Sequence, residues 1–198
     1  MQLSRHSSNC GMLFPSFVGV EMKLVTIATV ALALVSAATA QPKPAPGAGN
    51  PVVSVVRQLE ARASKNLIGA AEEMPADKYS YHPTPEQITF AHLMVHVVES
   101  NNNWCARVVG ETPREVKLSE SDSKDVLTKA LKDSFDYCEQ SLGKADDSTL
   151  GMAIALPGGT TTTRADALLH LATGWADHYG AAAMYLRLNN LLPPSAKK

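Results

Sequence analysis

Histidine is the residue type in this chain best suited to holding a metal ion or moving a proton near neutral pH, and four of the six histidines stand in helix-forming runs. His92 and His96 are four apart in FAHLMVHV, the spacing that places two side chains on one helix face. His178 sits in Asp177-His178-Tyr179, inside the apolar-periodic run TRADALLHLATGWADHYGAAAMYLRLNNLLPP from Thr163 to Pro194. His170 is eight positions earlier, so at about 1.5 Å rise per residue the two Cα atoms lie ~12 Å apart. They cannot share one ion. Asp177 projects about 100° around the helix from His178 and orients another group or faces solvent. An inward histidine in an Ala-rich bundle is also served by a hydrogen bond, here to Tyr179, Asn101 or Asn103. No Ser-His-Asp or Cys-His arrangement offers a nucleophile.

Four amphipathic segments must position these residues. In the last, Leu168, Ala172, Trp175, Tyr179, Ala182 and Leu186 recur at steps of three and four, the pattern of a helix with one buried side. Thr160 to Thr163 offer N-caps, and Asn189-Asn190 followed by Pro193-Pro194 stops it. The first helix carries Val52, Val55, Val56, Leu59, Ala63, Leu67, Ala70 and Met74 on one side and ends at Pro75. Thr84-Pro85-Glu86 predicts the start of the second, with Pro at the first helical position, and Phe90, Met94, Val97, Asn101, Trp104 and Val108 along its seam. The third follows a cap at Ser123, buries Val126, Leu127, Ala130, Leu131, Ser134, Phe135, Cys138 and Leu142, and closes at Gly143. The piece MAIAL and Pro157-Gly158-Gly159 lie over the end of the bundle, with no convincing strand pattern. The expected fold is all-α, a four-helix bundle.

Several of these residues have two readings. Trp104 and Trp175 could line a pocket, though seam positions favour core packing. Arg187 could bind an anion or serve a helix end. Asn is a poor helix former, so the mid-helix run Asn101-Asn102-Asn103 suggests a polar patch opening at the level of His96.

Composition narrows the partners. Of 198 residues 45% are hydrophobic and 19% charged, with a net charge of -1, which gives no reason to expect nucleic acid or an anionic membrane surface. From Met22 the chain reads MKLVTIATVALALVSAATA. Lys23, the apolar run Leu24 to Val35 and the small-x-small site Ala38-Thr39-Ala40 form a secretory signal peptide over residues 1–40, and translation starting at Met22 would explain the polar tail in front of it. The apolar run is shorter than the ~20 residues of a membrane span. A periplasmic or secreted protein beginning near Gln41 is expected, with a Pro/Gly-rich linker over 41–51, a bundle over 52–194 and a short tail over 195–198. Loss of Arg5, Glu21 and Lys23 leaves a net charge of -2.

Export also leaves two cysteines, Cys105 and Cys138, in an oxidising compartment. The short first connection favours an antiparallel first helix pair. The second could span ~40 Å at about 3.3 Å per residue, so helices two and three can run parallel. Both cysteines lie near the C-terminal ends of those helices and would fall at one level. A disulfide between Cys105 and Cys138 is expected, with two buried free thiols as the alternative.

TPEQITFAHLMVHV, SFDYCEQSL and DHYGAAAMYLRLNNLLPP, in that order and spacing, resemble the DinB-like (DinB/YfiT) superfamily in its exported bacterial branch, over roughly Val52 to Pro194. The resemblance implies an up-down-down-up bundle, often a homodimer. It also implies a divalent metal, zinc or nickel, held by one His of helix two and a His-x-x-x-His pair of helix four. His96 matches the first position and His178 the second member of the pair. Gly174 stands at the pair's first member, a departure that removes one of three ligands; His92 is the residue placed to replace it. Two functions follow. One is an exported bundle that binds a small-molecule ligand or partner between its helices, its metal site degenerate and His96 and His178 a polar core. The other is a divalent-metal-dependent enzyme, a transferase or hydrolase, of the kind whose metal presents a thiolate or activates water.

Overall fold

The computed structural model describes residues 49–197. The expected signal peptide, the start at Met22 and the linker up to residue 48 lie outside these residues. Four helices carry the fold: α1 Pro51–Glu73, α2 Phe90–Val108, α3 Lys124–Lys144 and α4 Arg164–Leu188. Between α3 and α4 a small antiparallel hairpin joins β1 Ala153–Ala155 to β2 Thr161–Thr163, with Ile154 opposite Thr162. No helix among the described residues is long and apolar enough to cross a membrane.

Side-chain pairs fix the helix directions. Asn101 bonds Ser134 and Cys105 joins Cys138, the same four-residue step on both helices, so α2 and α3 run parallel. His96 meets His178 and Trp104 meets His170, a rise on one helix and a fall on the other, so α2 and α4 are antiparallel. The N-terminal amides of α1 at Val52 and Val53 bond the Asp147 carboxylate just beyond α3, which sets α1 against α3 in the opposite sense. The order is up-down-down-up, and around the bundle α1, α3, α2 and α4 are successive neighbours. α1 and α2 are thus antiparallel but lie across the diagonal instead of side by side, because the sixteen residues between them are enough to step across the bundle end.

The loop between α2 and α3 must travel the bundle's length to start a parallel helix. It does: Glu111 bonds Lys144 at the C-terminal end of α3, and Glu120 accepts from Thr89 at the N-terminal end of α2. Leu67, Phe90, Met94, Leu131, Phe135, Leu168 and Leu186 are fully buried along the axis, each contributing about 1.5–3 kcal/mol by leaving water. Thr163 caps α4 through Asp166 N–H, and Ser123 caps α3 through Val126 N–H. Asn190, at φ 60°, takes the left-handed position after α4, while Leu191 N–H bonds back to Leu186 O. This is a Schellman end built on Asn.

Five local expectations are corrected. α2 starts at Phe90, capped by Thr89, whose hydroxyl accepts from His92 N–H; Thr84-Pro85 instead opens a turn closed by Gln87 N–H on Thr84 O, since Pro suits a turn's second position as well as a helix's first. Val52, Val55 and Val126 are exposed, whereas Val56 and Leu127 are buried as expected and Val53, which the expected face omitted, is buried with them. α3 runs through Gly143 to Lys144. The segment around MAIAL pairs with the Thr run as a hairpin, turned by Gly158 and Gly159 at positive φ. The three asparagines form no patch at the His96 level. Asn101 is fully buried, Asn102 bonds back to Val98 O, and Asn103 accepts from Arg107 Nε.

Candidate functional site

α2 and α4 pack antiparallel, and their outer seam collects the chemistry. His96 and His178 meet there edge to face, with ring centroids 4.8 Å apart and planes at 89°. His96 is exposed and His178 half-buried, so the pair is reached from solvent. Burial holds the His178 imidazolium below the usual histidine range, helped by neighbouring His96 and His170 and opposed by Asp177. His178 is therefore a neutral imidazole over the upper part of the physiological range, able to bond through a lone pair.

One turn before His178 on the same face is Gly174. A Cβ built there would sit 3.6 Å from His178 Nε2, ordinary van der Waals contact, so the ring nitrogen of His178 faces the space a side chain at 174 would fill. His92 does not turn toward this space. Its Nδ1 lies 3.5 Å from Glu120 of the long loop, and its side chain is half exposed. The loop's return along the bundle supplies a carboxylate that no spacing rule could reveal.

A three-ligand metal centre needs a third donor converging on one point. Among the described residues no group of three His, Cys, Asp or Glu side chains is placed to hold an ion. Two imidazoles and a glycine do not fit such a centre. In the core the same two helices meet at a polar joint. Trp175 donates its indole N–H to Asn101 Oδ1 at 2.8 Å, and Asn101 Nδ2 donates to Ser134 Oγ at 3.0 Å. Trp175 is thus core, whereas Trp104 is half-buried and stacks on exposed His170 at 4.4 Å. Cys105 and Cys138 are joined as a disulfide, with Cα atoms 5.2 Å apart.

Two features escaped the sequence reading. Glu60 of α1 is 5% exposed, although it continues the stripe Val56, Ala63, Leu67; the phase marked it, but its charge argued against burial. Arg107 and Arg164 line one recess at the bundle end, and no local signal links residues so far apart in the chain.

The sequence model of the DinB superfamily matches residues 58–182. No curated protein matches the chain. Among solved structures, a DinB-like protein of Bacillus subtilis, YjoA, is similar at 18% identity and a TM-score of 0.56, covering 71% of this chain and 92% of that one. Two structures of a mycothiol-dependent maleylpyruvate isomerase, one of them a mutant, are similar at 14% identity with TM-scores of 0.54 and 0.52. Each covers 65% of this chain, which spans 59% of the isomerase's length. At these identities the likeness speaks to the fold.

Proposed function

The chain belongs to the DinB superfamily, and from that premise we propose that it is an exported, ligand-binding bundle whose metal centre has been reduced to the pair His96 and His178. The observation that carries this reading is the open position at Gly174 beside His178 Nε2. A small ligand with a hydrogen-bond donor or acceptor would dock on the α2–α4 seam against the two imidazoles. Export is supported by the signal-like stretch from Met22 and by the Cys105–Cys138 disulfide, which suits an oxidising compartment.

A second reading rests on the closeness of the two rings. Imidazoles whose centroids are 4.8 Å apart could together hold zinc or nickel if an outside ligand completed the shell, and a thiol-dependent isomerase is among the similar structures. In that case the protein would be a metal-dependent enzyme. Metal content measured on the exported protein, purified without chelator or histidine tag, separates the two. Stoichiometric zinc or nickel that is lost in His96→Ala and in His178→Ala would revive the enzyme reading and justify a substrate screen. A folded protein that stays metal-free in excess zinc and nickel supports the ligand-binding one.

A further inference from the structure

The C-terminal turn of α2, the start of the long loop, β1 and the start of α4 border a half-open recess of about 350 Å3, with Arg107 and Arg164 both on its wall. We propose that this recess binds a small molecule through a carboxylate or phosphate group clasped by the two guanidiniums. The site lies about three helical turns along α2 from His96 and does not depend on the histidine pair.

Both arginines are half-buried, and among the described residues neither is paired with a carboxylate. Each is anchored by neutral groups instead. Arg107 Nε donates to Asn103 Oδ1 at 3.0 Å and its Nη1 to Ala155 O at 2.6 Å, while Trp104 lies under its guanidinium at 5.9 Å. Arg164 Nη1 donates to Thr149 Oγ1 at 3.3 Å. A guanidinium carries five N–H donors, so two are used on Arg107 and one on Arg164. The remaining donors and both positive charges are uncommitted, yet the side chains are already held.

The backbone is shaped around this arrangement. Gly110 takes a left-handed conformation at φ 76° to end α2, and a Cβ there would collide with the Arg164 guanidinium. Glycine meets both demands. The carboxylate on the recess wall, Glu111, is committed elsewhere: Lys144 bonds it at 3.1 Å and Tyr137 at 3.4 Å, and these hold its carboxyl below the ordinary range. Asp166, at the start of α4, accepts from Thr162 Oγ1 at 2.6 Å. The recess is therefore net positive, of a size suited to a small organic anion, with two planar forks matched to carboxylate or phosphate oxygens.

Calorimetric titration of the whole exported chain at low ionic strength, with inorganic phosphate and separately with succinate, tests the proposal. Saturable one-to-one binding is expected for at least one probe, and the probe that binds identifies which oxyanion the recess takes. Arg107→Gln and Arg164→Gln should each weaken it about tenfold or more, and Arg164→Lys, which keeps charge but loses the fork, by less. Arg114→Gln should change nothing, since Arg114 lies over Tyr137 at 3.5 Å instead of on the recess wall. Thermal unfolding checks each variant, and partly solvated Arg107 carries the test if Arg164→Gln does not fold. Absence of saturable binding by either probe, or binding that survives the glutamine variants, overturns the proposal.

Discussion

The indole N–H of Trp175 donates to the side-chain oxygen of Asn101 at 2.8 Å, tying α4 to α2 inside the bundle core. Asn101 passes the connection on to Ser134 of α3, so one amide sets the relative height of three helices. Its buried groups are satisfied together, and removal of the amide strands the Trp175 N–H in a low-dielectric interior, while Ser134 keeps its bond to Leu131 O. Asn101→Ala should lower unfolding free energy by about 2–4 kcal/mol, measured by urea denaturation. A loss below about 0.5 kcal/mol would mean that the network does not hold the helices in register.

Glu60 governs the pH response. Burial pushes its carboxyl up to about 7, with Glu139 and Asp136 adding to the shift and Arg57 opposing it. In the unfolded chain the same group ionises near 4.5, so between these values the folded protein binds more protons. Stability is then full below about pH 4.5 and falls as pH rises through 7. Glu60 edges an open recess with Ser54 and Gln58, so solvent screening reduces the effect to about 1–2 kcal/mol. Glu60→Gln should be more stable than the parent by that amount at pH 8 and match it at pH 4.5. His178, with its pKa lowered, contributes the opposite slope as pH drops below 6.5, and the variant-minus-parent difference cancels it. Equal Tm differences at the two pH values would contradict the assignment.

The Cys105–Cys138 bridge closes a loop of 33 residues between α2 and α3. Constraining a chain over that separation is worth about 3–4 kcal/mol. Reduction, or the double change to Ala, should lower the Tm accordingly, and alkylation of the unreduced, denatured protein should add no label at either cysteine. Labelling at both positions would show free thiols.

Much of the bundle was legible because its signals are local. The Thr163 cap, the Asn190 stop and the seam through Leu168, Trp175 and Leu186 all act within a few residues of where they are read. The start of α2 was not, because Thr84-Pro85 carries the same letters for a turn as for a helix start. Glu60 falls on the buried phase of α1, but the apolar pattern is traced through Val56 and Ala63 and passes over a charged residue. The hairpin's strands of three residues each are too short to alternate visibly. At the site, His96 and His178 were identified and do meet, whereas the position of His92 depends on where Glu120 returns, and that is set by a loop crossing the full bundle. The Arg107 and Arg164 recess is a product of tertiary structure alone.

Gly174 is where the reduced-centre reading stands most exposed to test. Zinc titration of the parent, Gly174→His and Gly174→Ala, followed by competition with a chromogenic chelator, measures it directly. A Cβ at 174 meets His178 Nε2 at an ordinary distance, so Gly174→Ala should fold, and circular dichroism checks Gly174→His. The alanine variant should gain about 0.5–1 kcal/mol of stability from the helical position. Gly174→His should bind zinc about a hundredfold more tightly than the parent, with the gain lost again in His96→Ala. Tight stoichiometric zinc in the parent, unimproved by Gly174→His, would contradict the reduced centre and return the protein to the metal-dependent enzymes.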